Sequence, residues 1–294
     1  MIASVAEGLR PVYGLEGSLL YSAQAEAVFA EYLSGNARRY WGAMHGNELR
    51  AVLFTQIVEG RGEITLAHRL DNTLPLPLEY DLFRMAIQDL KARGVEGILA
   101  EFLPTSPLGA WDVFLQEGFQ RVHRHVLEAP LSRTGHAEPR TRPLWPSDEC
   151  NAAACLVEAY REDPGRLLHR EVEQMEIAQR FVGKVLRGGY GAVTPGMNLC
   201  FIEEGRMIGV VLGCLLAPGI GFTLQVATLP VFRGHGIGKA LLLAQHQAFA
   251  AAGCNRASLA VTAGNAAAES LYAQLGYSVT VEFDTHVWQR RELA

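Results

Sequence analysis

The sequence predicts an α/β (α+β) protein made of two tandem units. Three observations carry the prediction. Strand-like and helical stretches alternate along both halves, the turn signals of the halves keep one register, and a stretch without apolar periodicity separates them. At 294 residues the chain has the length of two ordinary domains, and 49% hydrophobic against 19% charged residues supply two cores. The separator is SRTGHAEPRTRPLWP, beginning at Ser132, with three prolines. The expected limits are 1–131 for the first unit, 132–142 for a linker and 143–294 for the second unit.

The two halves superpose at an offset of 159 residues. Gly205 falls on Gly46 as a hairpin turn, and Val210, Val211 and Leu212 fall on Ala51, Val52 and Leu53. Gly219 and Gly221 fall on Gly60 and Gly62, the helix end Gly253 on Gly94, and, after one deletion, Gly276 and Tyr277 on Gly118 and Phe119.

In the second half, residues 151–161 and 168–186 have helical apolar spacing, interrupted by Asp163, Pro164 and Gly165. Strands follow at 199–202, 207–215 and 222–228, then a glycine-rich bend and an apolar helix. A buried strand at 257–261, a loop to Asn265, a helix at 266–275 stopped by Gly276, and a final strand pair over 278–288 complete the order.

The bend is the most informative stretch. FTLQVATLPVF runs directly into RGHGIGKA and then LLLAQHQAFAA, so a strand passes through glycines into a helix. Unpaired backbone N–H groups and the positive end of the helix dipole make such a bend a cradle for phosphate. It is not a P-loop, because Lys239 is followed by Ala240 and not by Ser or Thr. A dinucleotide fingerprint is also excluded, since the third glycine and the distal acidic residue are missing. Residues 205–268 contain no Asp or Glu, whereas Arg206, Arg233, Lys239 and Arg256 are positive.

The spacing Arg233-x-x-Gly236-x-Gly238 resembles the acetyl-CoA pyrophosphate loop of the GNAT superfamily of N-acetyltransferases. Downstream, Asn265-x-x-Ala268-x-x-Leu271-Tyr272-x-x-Leu275-Gly276-Tyr277 resembles a second motif of that family. The resemblance covers residues 151–294 and implies GNAT-like units, each a mixed, mostly antiparallel central sheet flanked by helices. It also implies acetyl-CoA as co-substrate, bound between two splayed strands. On this reading Val226, Ala227 and Thr228 offer backbone groups to the thioester. Arg233, Gly234, His235, Gly236, Ile237, Gly238, Lys239 and Ala240 form the pyrophosphate cradle. Asn265 contacts the pantetheine arm, and Tyr272 protonates the departing thiolate. The implied reaction is direct transfer of an acetyl group to a primary amine of a small molecule or peptide. The alternative is a non-catalytic acyl-CoA binding or sensing protein.

Many members of the family carry a glutamate on the strand before the cradle; FTLQVAT has none. Glu162, Asp163, His169, Glu282, Asp284 and His286 are other carboxylates and imidazoles in reach of the pattern, and the sequence selects none as base. The acceptor should lie chiefly against residues 158–186, whose mixed charges favour neither a polyamine nor an acidic amine.

The first half lacks the groups this chemistry uses. Arg233 falls on Leu74, Gly236 on Pro77, Gly238 on Glu79, and Tyr272 on Val113 or Phe114. Proline has no N–H to donate, and a glutamate at a helix start repels a pyrophosphate. The first unit is therefore expected to be a degenerate, non-catalytic partner.

A net charge of −5 argues against nucleic acid as a partner. Five cysteines without a C-x-x-C pair fit reduced thiols, and the N-terminus has neither a basic start nor an apolar signal core, so a cytoplasmic location is expected. Residues 207–232 carry no charge, but Pro218, Gly219 and Gly221 divide them into pieces too short for a membrane helix. No metal and no membrane are expected, and a homo-oligomer is left possible.

Overall fold

The computed structural model describes residues 38–70, 74–101, 110–131, 140–161, 163 and 168–290. The first half runs β1 (Arg38–His45), β2 (Glu48–Val58), β3 (Arg61–Arg69), α1 (Leu76–Ala92), β4 (Gly97–Ala100), α2 (Asp112–Gln116) and β5 (Gln120–Pro130). The second runs β6 (Thr141–Pro143), α3 (Glu149–Tyr160), α4 (Met175–Leu186), β7 (Leu199–Glu203), β8 (Arg206–Ala217), β9 (Ile220–Thr228), α5 (Ile237–Ala251), β10 (Arg256–Thr262), α6 (Ala266–Gln274) and β11 (Ser278–Gln289). Among the described residues both halves contain the order β-β-β-α-β-α-β, and in the second half β6, α3 and α4 precede it.

The repeat register holds in three dimensions. Gly46 and Gly205, Gly60 and Gly219, Gly94 and Gly253, and Gly118 and Gly276 all have positive φ, the backbone region that disfavours side chains. Strands β3 and β9 begin and end 159 residues apart. A bulge recurs as well. In β3 the pairing passes from Ile64 to Leu66, skipping Thr65, and in β9 it passes from Thr223 to Gln225, skipping Leu224.

The chain divides into two compact units, Met1–Arg124 with Phe283–Ala294, and His125–Glu282. These limits differ from 1–131, 132–142 and 143–294, because strand pairing assigns the ends of β5 and β11 otherwise. From Phe283 onward β11 pairs with β4, His286 opposite Ala100 and Trp288 opposite Ile98, which makes it a first-unit strand. The C-terminal part of β5 lies beside β10 and contributes Leu127 and Ala129 to the core of the second unit. Most of the expected linker, residues 132–139, lies outside the described residues, and Thr141–Pro143 forms β6 against β7. The expected strand pair over 278–288 is one continuous strand, since SVTVEFDTHVWQ has no turn residue to fold it. The expected helix at 168–186 is a short turn, Arg170–Val172, followed by α4 from Met175, because Gln174 is extended.

In the first unit the sheet order is β1-β2-β3-β4-β11, with β3 and β4 parallel and the pairs β1–β2, β2–β3 and β4–β11 antiparallel. Its core gathers Leu53, Ile64, Phe83, Ile87, Leu90, Ile98 and Phe114. In the second unit the order is β6-β7-β8-β9-β10-β5, with β9 and β10 parallel inside a largely antiparallel sheet. Leu156, Val182, Phe201, Ile208, Leu241 and Phe249 are among its buried side chains. Each such burial contributes about 1.5–3 kcal/mol. Helix α5 turns Leu241, Leu242 and Phe249 onto the sheet. It approaches closely because β9 offers a glycine there: a Cβ on Gly221 would lie 2.2 Å from the Phe249 ring.

Candidate active site

Strands β9 and β10 start together and part. Their parallel pairing runs from Arg256 opposite Ile220 to Leu259 opposite Thr223 and stops, while β9 continues to Thr228 and β10 to Thr262. On its other edge β9 stays paired to β8 as far as Thr228 opposite Gly209. The N–H of Leu229 donates to the Ile208 carbonyl, and because N–H groups alternate sides along a strand, Ala227 also faces β8. The N–H groups of Val226 and Thr228 therefore face the cleft between the parted strands.

The chain leaves β9 through a short turn, Pro230–Phe232, and enters α5 through Gly234 and Gly236, at φ 80° and 77°. Gly236 caps the helix without a side chain, and the first helical bond is Ala240 N–H to the Gly236 carbonyl at 2.9 Å. The N–H groups of Gly234, His235, Gly236, Ile237, Gly238 and Lys239 have no acceptor among the described residues. The loop is exposed, and neither Arg233 nor Lys239 has a carboxylate partner among the described residues. Arg233 instead fastens the loop: its Nη2 donates to the Ala159 carbonyl at the end of α3 at 2.6 Å, and its Nε reaches the Thr228 carbonyl at 3.4 Å. His235 is exposed, its Nδ1 3.0 Å from the Arg233 carbonyl.

Helix α6 closes the other side. A Cβ on Gly238 would lie 3.3 Å from Leu271 and 3.9 Å from the Thr228 hydroxyl, so the start of α5, the end of β9 and α6 converge. Tyr272, next to Leu271, is 7% exposed and meets Tyr277 edge-on at 5.6 Å between ring centroids. Burial pushes its phenol up to about 12, so it holds its proton at neutral pH. Its hydroxyl has no hydrogen-bond partner among the described residues. Asn265 caps α6, its Oδ1 accepting from the Ala268 N–H at 3.2 Å, which leaves its amide N–H₂ toward solvent.

The sequence reading passed over Gln225. The bulge at Leu224 changes which face of β9 the next residue presents. Thr223 donates to Gln245 on α5 at 2.6 Å, whereas Gln225 is buried against the opposite layer. There its Oε1 accepts from the Tyr160 hydroxyl at 2.6 Å, and its Nε2 donates to Glu171 Oε1 at 2.8 Å. His169 Nδ1 lies 3.2 Å from both Glu171 Oε1 and Gln225 Nε2. Burial pushes the Glu171 carboxyl up, but hydrogen bonds from His169 and Gln225 outweigh it and hold it below the usual carboxylate range. The only trace of this arrangement in the sequence is the pair His169-x-Glu171.

The other candidate bases separate by position. Glu162 lies outside the described residues. Asp284 and His286 belong to the first unit, where Asp284 pairs with His123 and Arg121, and His286 stacks against both Trp111 and Phe114. Glu282 lies 4.0 Å from His125, and the Asp163 N–H donates to the Tyr160 carbonyl at 3.0 Å. A groove of about 400 Å³ opens between α3 and the β7–β8 turn, lined by Cys155, Glu158, Gly205, Arg206 and Leu229 among others; none of residues 233–240 lines it.

Residues 154–277 match the Acetyltransferase (GNAT) family. No curated protein sequence matches the chain significantly. Among solved structures, the fold is similar to a GCN5-related N-acetyltransferase from Sphaerobacter thermophilus, at 18% identity over 98% of this chain and 93% of that one, with a TM-score of 0.69. It is similar also to a GCN5-related N-acetyltransferase from Kribbella flavida, at 17% identity over 92% and 96% of the two chains, with a TM-score of 0.55. A third is a tandem GNAT protein from the clavulanic acid biosynthesis pathway, at 13% identity over 87% and 84%, with a TM-score of 0.54. The parted strands, the glycine cradle and the matched segment lie in one unit, and it is this segment, residues 154–277, that is similar to the Acetyltransferase (GNAT) family.

Proposed function

We propose that the second unit is an acetyl-CoA-dependent N-acetyltransferase that moves an acetyl group to a primary amine of a small molecule or peptide. The carrying observation is the row of six acceptor-free backbone N–H groups at the start of α5, beside the cleft where β9 and β10 part. Such a row fits a pyrophosphate: the donors are preorganised, the helix dipole favours an anion, and no carboxylate competes. Lys239 and Arg233 add positive charge.

The residues divide the work as follows. The cradle, residues 233–240, holds the pyrophosphate, and Asn265 reaches toward the pantetheine arm. The N–H groups of Val226 and Thr228 polarise the thioester carbonyl as an oxyanion site. The amine nitrogen bonds to the carbonyl carbon as the carbon–sulfur bond breaks, and Tyr272, kept protonated by burial, gives its proton to the thiolate. One proton shed by the nitrogen restores Tyr272, and the other leaves with the base.

The test offers the purified chain acetyl-CoA with amine, amino-acid and peptide panels and follows thiol release. Thiol release dependent on an amine, with acetylated product by mass spectrometry, supports the proposal. Calorimetric binding of acetyl-CoA with no transfer to any amine supports a sensing protein instead.

A further inference from the structure

We propose that His169 is the base that takes the proton of the attacking ammonium, and that Glu171 and Gln225 are the residues that position it. The inference rests on the acetyltransferase reading above and adds to it the group that β9 itself does not supply.

Three observations carry it. First, the bulge at Leu224 aims Gln225 into the layer of α3, one residue before the strand reaches the cleft. Second, the hydrogen bonds fix the imidazole tautomer. Gln225 uses Oε1 on Tyr160 and one amide hydrogen on Glu171. At Nδ1 two contacts of 3.2 Å compete, the Gln225 amide as donor and the ionised Glu171 carboxylate as acceptor; the charge-assisted one is the stronger, so the ring proton sits on Nδ1 and the lone pair on Nε2. Third, the cluster is reachable: the His169 and Glu171 side chains are 20% and 28% exposed, and Nε2 has no partner among the described residues. In the step itself, an N–H bond of the ammonium breaks, its proton bonds to Nε2, and the freed lone pair attacks. His169 then returns the proton to water.

Two measurements test this on the full chain. In nitrogen-15 NMR of the wild type, His169 should show the Nδ1–H tautomer, and Glu171→Gln should abolish that preference. With an amine found active in the panel, His169→Ala should lower turnover about 10²–10⁴-fold. Its calorimetric affinity for acetyl-CoA should be unchanged, and added imidazole should restore part of the rate. A wild-type Nε2–H tautomer overturns the inference whatever the activity, and so does full turnover in His169→Ala. A wild type that acetylates no amine overturns the acetyltransferase reading, and the role of His169 with it, even where the tautomer is as stated.

Discussion

Glu79 accepts two hydrogen bonds from the guanidinium of Arg69, Nη2 to Oε2 at 2.7 Å and Nε to Oε1 at 3.2 Å, with the Glu79 side chain only 1% exposed. Glu79 lies in the first turn of α1, and the repeat register sets it against Gly238 and Arg69 against Thr228. The negative charge that a helix start favours is thus furnished by the first unit's own side chain. In the second unit the same place is held by glycine.

Glu79→Ala removes the buried carboxylate that accepts both of these hydrogen bonds. The expected loss is about 3–5 kcal/mol in the stability of the first unit, the cost of removing one member of a buried ion pair. Chemical denaturation followed by intrinsic fluorescence measures it. A loss below about 1 kcal/mol would mean that water reaches the guanidinium.

Tyr272→Phe removes a hydroxyl that bonds to no described residue, so stability and acetyl-CoA affinity should change little. Turnover should fall about 10²–10⁴-fold where chemistry limits the rate. An unchanged rate under those conditions returns Tyr272 to a packing role beside Tyr277.

The second unit should lose stability in acid through His246. Burial lowers its pKa from 6.5 to about 4, while its ring nitrogen lies 2.7 Å from the Tyr277 hydroxyl. Between pH 6.5 and 4 the unfolded chain binds the extra proton, so this contribution is complete above pH 6.5 and lost as the pH falls. The loss amounts to about 2 kcal/mol at pH 5. His246→Gln should flatten that part of the pH dependence of the urea midpoint; an unaltered slope would show that His246 does not titrate there.

Residues 143–294 expressed alone should be poorly soluble or inactive. They lack the part of β5 that gives Leu127 and Ala129 to the second unit's core, the Glu128 partner of Arg256, and the Leu131 N–H that donates to the Asn255 carbonyl. A monomeric, stable fragment with full activity would show that the core closes without β5.

Much of the site was legible because its signals are local. Glycines at fixed spacing mark the cradle whatever surrounds it, and the alternation of turns at one offset exposes the repeat. Asn265, read in the sequence only as a contact to the pantetheine arm, also caps α6 by accepting from the Ala268 N–H. The network at Gln225 was not legible. A one-residue bulge reverses the facing of every residue after it, and nothing in FTLQVAT marks Leu224 as the extra residue. The assignment of β5 and β11 was hidden for a different reason: the partner of a strand is a tertiary choice, and a strand such as SVTVEFDTHVWQ reads the same wherever its ends pair.

The central claim is that one working cradle exists, in the second unit, and calorimetric titration of the full chain with acetyl-CoA tests it most directly. One site per chain is predicted, abolished by Gly236→Asp and retained in Pro77→Asp. Two equivalent sites, or binding that survives Gly236→Asp, would contradict it.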